Sequence, residues 1–379
     1  MPDRLRAPLI AAAAMLPVLS ACAEAPVGPP PLNQAALDAV TDDPGAPTED
    51  VARAVDALFT APGIGETRAV IVMHEGTVAA ERHAEGYDAD TRHISWSMAK
   101  TVTAAMIGML IADGRLALDD PAPIPAWRRP GDPRGPITVR HLLQMRSGLD
   151  HTEAGDPPEQ SSEVRMLFLD GRDDMSRWAE TQPLEEEPGE RFEYSSNTTV
   201  ILADIAARVL TDSDDPETRR AAVDGYLKAR IFEPLGMASA VAEYDASGTL
   251  VGGSLMHATA RDWARFAEFL RNKGSYRGSQ LLPRAFVEAM VTPSPASPIY
   301  GLQTWLNRPM DTGADEHPLF PGRAAHSVFA MIGHMGQYAV VSPEQRVTVV
   351  RLGHSDADQR RVVLERMADV LALYPAPED

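Results

Sequence analysis

Ser97 and Lys100 stand three residues apart in "SMAK", at the head of an apolar stretch that runs to Ala112. On a helix this spacing places both side chains on one face, next to each other. Lysine is scarce here: it occupies only positions 100, 228 and 273, and the rest of the 35 basic residues are arginine. An ammonium loses its proton when desolvated or crowded by other cations, whereas a guanidinium keeps it. A neutral amine beside a serine hydroxyl is a general base for a nucleophile, so the chemistry expected is acyl transfer to Ser97. Ser95 lacks such a partner, because Met98 stands three residues on.

A lone Ser-x-x-Lys is a weak signal, and two further stretches strengthen it. "EPGERFEYSSNTT" puts Tyr194 on a loop after Pro188 and Gly189, just before a helix whose start is marked by Ser195, Ser196, Asn197 and Thr198. A tyrosine hydroxyl there can relay a proton. "MIGHMGQYAVV" puts His334, Met335 and Gly336 at the entry to a strand. Gly336 would let a substrate backbone lie close along that strand, and His334 would offer a hydrogen-bond donor.

These residues need a scaffold. "EDVARAVDALF" spaces Val51, Val55 and Leu58 as one helix face, and "RAVIVMHEGTVAAERHAEG" reads as a hairpin turning at Glu75 and Gly76. The stretch from Ser97 to Ala112 has helical spacing and stops at Gly114. From about Leu116 to Ala242 helices alternate with Pro-rich loops, and the acid-rich segment from Asp150 to Asp174 reads as a solvated loop rather than a moving lid. The runs "YGLQTWL", "SVFAMIG", "GQYAVVSP" and "RVTVVRLG" are joined by turns too short for parallel crossovers, so an antiparallel meander is expected, closed by the helix "DQRRVVLERMADVLALY". The fold class expected is α/β of the α+β kind: an antiparallel sheet made from both ends of the chain, flanked by helices, with a mostly helical insertion. The sheet part covers about 48–115 and 243–379, and the helical part about 116–242.

Composition bounds the partners. A net charge of -19 and the lack of a basic run argue against nucleic acid, whose phosphates need clustered Lys and Arg. Residues 1–21 read as an export signal, with Arg4 and Arg6 ahead of an apolar run too short to span a bilayer. "LSAC" ends that run. Cys22 is the only cysteine, which excludes an internal disulfide and a zinc site built on several thiolates. Residues 22–47, rich in Pro and Ala, read as a tether with little buried structure ahead of a hydrolase domain at 48–379. Neither a glycine-rich phosphate loop nor a helical zinc motif is present, so no cofactor or metal is expected.

Taken in order, S97-M-A-K100, Y194-S-S196 and H334-M-G336 resemble the three motifs of the serine β-lactamase and penicillin-binding protein superfamily. "ITVRHLLQMRSGLD", "PGERFEYSSNTT", "IFEPLGM", "HATARDWARFAEFLRNKG" and "GHMGQYAVVSPE" resemble its class C-related branch, which includes family VIII esterases and 6-aminohexanoate-dimer hydrolases; the likeness covers roughly residues 48–373. The resemblance implies a β-lactamase/transpeptidase-like fold with Ser97 as acylated nucleophile, Lys100 as its base and Tyr194 as proton relay. It also implies an oxyanion hole from the backbone N–H groups of Ser97 and Gln337, with Ser196, Asn197, His334 and Gly336 binding substrate. "LSAC" looks like a lipobox, which implies a lipidated Cys22, a membrane anchor and a periplasm-facing location. Ala23 in place of Asp favours the outer membrane.

Two departures bear on the substrate. Ser196 stands two after Tyr194 where the family has Asn, with Asn197 displaced by one. His334 stands where the family has a Lys that helps hold a substrate carboxylate, and a largely neutral imidazole holds it less well. Hydrolysis of a small-molecule ester or amide is therefore expected ahead of β-lactam turnover. A β-lactamase or a D-amino-acid or cell-wall peptidase is the alternative enzyme, and a catalytically silent envelope binding protein is the alternative of another class. His93 reads as the end of a strand, His151 as no part of a metal site, Arg261 and Asp262 as a helix start, and Tyr300 and Trp305 as strand aromatics.

Overall fold

The computed structural model describes residues 31–310 and 317–376, together with Gly28. The export signal expected over 1–21 and Cys22 lie outside the described residues.

The hairpin forms as expected: strands Glu66–His74 and Thr77–His83 are joined by Glu75 and Gly76, both at positive φ, the two-residue turn that matches strand twist. The sheet has six antiparallel strands in the order Thr77–His83, Glu66–His74, Val347–His354, Gln337–Ser342, Phe329–Gly333, Trp305–Leu306. Residues from the two ends of the chain are thus neighbours at its centre, with Val70 opposite Arg351 and Ile71 opposite Val350.

Alternation along the strands divides the interior in two. Ala69, Ile71, Met331, Ala339, Val350 and Leu352 face a core shared with the helices Ala99–Ala112 and Ala260–Arg271. Val70, Val72, Ala330, Val340 and Val349 face the other side, where Thr48–Thr60 and Ala357–Ala372 lie over the sheet with Val51, Val55, Leu58, Met367 and Leu371 turned in. Because both faces are buried, the strands read in sequence as near-continuous apolar runs, such as "AVIVM" and "YAVV", and not as apolar residues alternating with polar ones.

The helical part supplies Val139–Leu143, Ser162–Phe168, Met175–Glu180, Ser196–Leu210 and Pro216–Leu227. The helix Ala99–Ala112 is caught between this part and the sheet, and its residues are buried on every side from Ala99 to Leu110. Alanine, glycine and threonine at several of its positions let neighbouring backbones approach that closely. A helix with no exposed stripe cannot roll, which fixes what stands at its first turn.

Of residues 22–47, expected to form a tether, those from 33 onward are packed in part. Asn33 caps a short helix Gln34–Asp38, Ala36 is fully buried, and the chain then bridges from Val40 to Ala80 on the hairpin. The Asn33 side chain accepting from the Ala36 N–H is the start signal passed over in a Pro-rich context.

Candidate active site

Ser97 lies on a 3-10 turn, Trp96–Met98, that runs directly into the buried helix. Trp96 is held at φ 45°, a left-handed conformation that costs a bulky residue about 1–3 kcal/mol and lifts the following serine to the surface of a cleft. That cleft has a volume of about 500 Å³. Its walls include Trp96, Ser97, Glu153, Glu163, Phe168, Tyr194, Trp305, Ile332, Gly333, His334 and Arg360.

Lys100, one turn behind Ser97, is 1% exposed. Its Nζ donates to Ser97 Oγ at 2.9 Å, to Ser196 Oγ at 2.7 Å and to the Gly253 carbonyl at 2.9 Å. Three partners account for the three hydrogens of an ammonium. Burial alone would pull its pKa down, but Tyr194 and the carboxylates of Glu153 and Glu163 outweigh it and the net direction is up. The resting form is therefore the ammonium, not the neutral amine that spacing alone suggested.

Tyr194 is partly open to the cleft and reaches both Ser97 and Lys100 with its hydroxyl. Its ring lies 4.8 Å from Lys100 Nζ and is clamped by Tyr300 and Trp305, with centroids 5.8 and 5.0 Å away. The two strand aromatics thus do more than fill the sheet edge, since Trp305 is a wall of the cleft and the pair orients Tyr194.

Glu153 and Glu163 were passed over in the sequence. Ser196 Oγ lies 2.7 Å from Glu153 Oε1 and 3.2 Å from Glu163 Oε1, and its backbone N–H donates to Glu153 Oε2 at 2.6 Å. The second contact of Glu153 places a carboxylate at the N-terminus of the helix Ser196–Leu210, where the dipole favours it. Proton counting then fixes the pattern. The Ser196 hydroxyl accepts from Lys100 and gives its one hydrogen to Glu153, so Glu163 joins the network by carrying a proton of its own. Burial and the neighbouring Glu153 charge push the Glu163 carboxyl up to about 7, in keeping with that assignment.

Both glutamates ride on the segment read as a solvated loop. It is instead a wall, tied at its neck: Thr152 N donates to Ser162 Oγ at 2.6 Å, and Ser162 N donates to Thr152 Oγ1 at 2.9 Å. Asn197 holds that neck. Its Oδ1 accepts from Ser162 Oγ at 3.1 Å and its Nδ2 donates to the Ser162 carbonyl at 3.3 Å, so this wholly buried side chain faces the loop and not the cleft. Ser196 is likewise absent from the cleft wall and contacts Lys100, so neither residue stands where substrate binding was expected.

The third motif is also rearranged. His334 lines the cleft edge-on to Trp96, 5.4 Å away, and burial together with the Arg360 charge lowers its pKa, leaving it neutral at pH 7. Gly336 does not face the cleft. A Cβ there would come 2.8 Å from Arg351 Nη1, and the Gly336 carbonyl accepts from that same guanidinium at 2.8 Å. Gln337 sits opposite Gly333 in the ladder, with its side chain bonded to Gly353 on both sides of the amide. It is not a cleft residue. The free edge of Phe329–Gly333 takes its place. The Val328 carbonyl accepts from Asn307 N, and alternation puts the N–H groups of Ile332 and His334 on that same edge, past the end of the short Trp305–Leu306 strand. Gly333 permits the approach, since a Cβ there would sit 2.2 Å from the Ser95 carbonyl.

His93 pairs with Ala258 at the end of a short strand, and His151 is sealed between Thr198 and the Ala179 carbonyl; burial lowers both to about 4. Neither lies on the cleft wall.

The sequence model of the β-lactamase family matches residues 51–373. A 6-aminohexanoate-dimer hydrolase from Paenarthrobacter ureafaciens is 28% identical over 265 residues, which is 66% of this chain and 64% of that protein's length. Among solved structures, a penicillin-binding protein homologue from Caulobacter crescentus superposes with a TM-score of 0.61 at 18% identity, covering 87% of this chain and 98% of the other. EstCE1, a hydrolase with promiscuous acyltransferase activity, gives 0.61 at 18% identity over 85% and 98%. With motif, fold and family match in agreement, this chain belongs to the β-lactamase family.

Proposed function

We propose that this protein is a serine hydrolase that cleaves an ester or linear amide through an acyl-enzyme on Ser97. The observation that carries the reading is the 2.9 Å contact between Lys100 Nζ and Ser97 Oγ at the wall of an open cleft, with Tyr194 reaching both. The matched relative from Paenarthrobacter ureafaciens, named for an amide substrate, and the hydrolase EstCE1 support the reaction class.

The resting ammonium must lose a proton before it can accept one. Ser196 offers the route: as its oxygen takes a hydrogen from Lys100, its own hydrogen passes to Glu153. The amine so formed removes the Ser97 proton while Oγ attacks the carbonyl carbon. Charge developing on the carbonyl oxygen is met by the backbone N–H groups of Ser97 and His334, the latter chosen over Ile332 because it stands against Trp96. Lys100 then passes the proton through the Tyr194 hydroxyl to the departing alkoxide or amine. Water attacks the acyl-enzyme with Lys100 again as acceptor, Ser97 regains its hydrogen, and Glu153 returns its proton to Lys100.

The test is the intact mass of the purified protein after exposure to a fluorophosphonate. One adduct is expected, absent in Ser97→Ala and much slowed in Lys100→Ala. An adduct that persists in Ser97→Ala would place the nucleophile elsewhere, and none on folded protein would favour a silent binding role. We further propose that Cys22 is lipidated and anchors the protein to a membrane; Cys22→Ala should release it to the soluble fraction, and retention in the membrane fraction would exclude the anchor.

A further inference from the structure

Gln303 stands in the turn between Tyr300 and Trp305, the two aromatics that clamp Tyr194, and it is 2% exposed and off the cleft wall. It is held at φ 53°, in the left-handed region that favours glycine. Among the described non-glycine residues with positive φ, Gln303 and Met145 alone are buried. A side chain persists in that conformation only where its surroundings over-determine it.

Every polar atom of Gln303 is engaged. Its backbone N–H donates to the Leu143 carbonyl at 3.0 Å, and its own carbonyl accepts from Thr101 Oγ1 at 2.7 Å. The side-chain Oε1 accepts from Thr199 Oγ1 at 2.7 Å, while Nε2 donates to the Leu142 and Leu143 carbonyls at 3.2 and 3.1 Å. Those two carbonyls close the helix Val139–Leu143, where the last carbonyls of a helix take partners from outside it.

The partners share a theme. Thr101 follows Lys100 on the buried helix, and Thr199 stands about one turn after Ser196 on the helix Ser196–Leu210. Leu143 leads into Met145, whose carbonyl accepts from the Glu193 N–H at 2.8 Å, one residue before Tyr194. One residue therefore draws together the segments that carry the lysine, its serine partner and the tyrosine.

The rest of the link runs through rings. Within the turn the Gly301 N–H donates to the Thr304 carbonyl at 2.9 Å, and Tyr300 pairs with Trp305. Gly301 lets the turn press on Met290, whose carbonyl a Cβ would meet at 2.0 Å. Tyr300 and Trp305 meet edge to face with centroids 4.8 Å apart, and Tyr194 packs against both. Rings in contact can slide, and a misplacement of about 1 Å at a reacting group can cost on the order of 10²-fold in rate.

We propose that Gln303 is a positioning residue for the proton relay: it holds the Tyr194 hydroxyl where that group can protonate the departing alkoxide or amine, without touching substrate itself. The inference rests on the serine-hydrolase reading for the reaction, and its test has one arm that needs no turnover.

In the first arm, kcat/KM is measured for 4-nitrophenyl, phenyl and ethyl butyrate, which share an acyl group. The 4-nitrophenolate departs without a proton, and the other two depend on one increasingly. Gln303→Met keeps the length of the side chain and loses the amide; Gln303→Gly takes the same φ without strain. Each should lower the rate for the poorer leaving groups relative to 4-nitrophenyl by about 10- to 100-fold, part of what a general acid supplies. Tyr194→Phe should lower that ratio further, and Gln303→Met added to Tyr194→Phe should leave it where Tyr194→Phe alone put it. A residue that only shaped the turn would lose nothing on becoming glycine. A ratio unmoved in the Gln303 variants, with all the esters slowed alike or none, overturns the proposal. If neither variant folds, Thr199→Val, which removes one link, should lower the ratio by a smaller factor, and no change in it overturns the proposal equally.

In the second arm, fluorine NMR is recorded on protein labelled with 3-fluorotyrosine, the Tyr194 signal being the one missing in Tyr194→Phe. The variant used in the first arm should displace that signal while those of tyrosines outside the cluster, such as Tyr87 and Tyr276, keep their places. This result supports the positioning role even if no ester is hydrolysed, an outcome that would sink the hydrolase reading alone. A Tyr194 signal that stays put, or a shift of all the tyrosine signals alike, overturns the proposal even if esters are turned over.

Discussion

The two walls that meet at Ser97 are built on opposite terms. One is a helix buried on all sides, which presents Ser97 and Lys100 because it has no freedom to present anything else. The other is a loop closed by the paired Thr152 and Ser162 and held by Asn197, which brings Glu153 and Glu163 to the same network. The first wall sets the reacting atoms by packing and the second sets their protonation by hydrogen bonds. The difference shows how a lysine with a raised pKa can still serve as a base: the residues that keep it charged also take its proton.

Changes to the helix should cost most. Lys100→Arg keeps the charge but cannot yield its proton, and kcat/KM for an activated ester is expected to fall about 10³-fold or more, as when a general base is lost. Activity near that of the unaltered protein would show that Ser97 needs no amine.

On the loop, Glu153→Gln should cost about 10- to 100-fold, since Ser196 keeps its place but loses the acceptor behind it. The pH profile separates this from mere disruption. Ionisation of Glu163 above about pH 7 adds a second negative charge that holds the Lys100 proton, so kcat/KM should decline there. Glu163→Gln should abolish the decline, and Glu153→Gln, by removing a like charge, should move it to lower pH. The same group affects stability. Its folded pKa lies above the ordinary carboxyl value of 4.5, so its contribution is fully present below that pH and lost as pH rises through about 7. Urea unfolding of Glu163→Gln should lack that slope.

The smallest effect is expected at the neck. Asn197→Ala leaves Ser162 without two partners and should lower stability by about 1–3 kcal/mol in urea unfolding, with kcat reduced but the pH profile unaltered in form. A displaced inflection would mean that the loop sets protonation through its own position, which would blur the division between the walls.

The helix wall was legible in the sequence for a simple reason: three residues on a helix is a fixed distance, whatever the surroundings. The sheet was legible because alternation and short turns are visible in the order of residues alone. The loop wall was not, since Glu153 and Glu163 lie ten residues apart in a stretch without periodicity and meet only because Thr152 and Ser162 close it. Ser196 and Asn197 show the limit of proximity in sequence. With Ser195 as cap, each following residue turns about 100° round the helix, so Ser196 faces Lys100 while Asn197 faces Ser162. Gly336 was read as room for a substrate and proves to be room for arginines. Gln337 was placed one strand too far along, because motif position alone does not say which edge of a strand is free.

Arg351 has a consequence for the order in which the molecule is made. It has no exposed surface; its guanidinium, pulled down by burial to about 10, is wrapped by the carbonyls of Glu66 and Gly336 and the hydroxyls of Thr67 and Ser355. One cation thus fastens the opening strand of the sheet to the turn beneath the cleft. A chain emerging from its N-terminus carries Ser97 and Lys100 for some 250 residues before that fastener arrives, roughly ten seconds or more at ordinary synthesis rates. Until then the edge that would face the nucleophile does not exist, and the growing polypeptide holds its reactive pair with nothing opposite to bind a substrate.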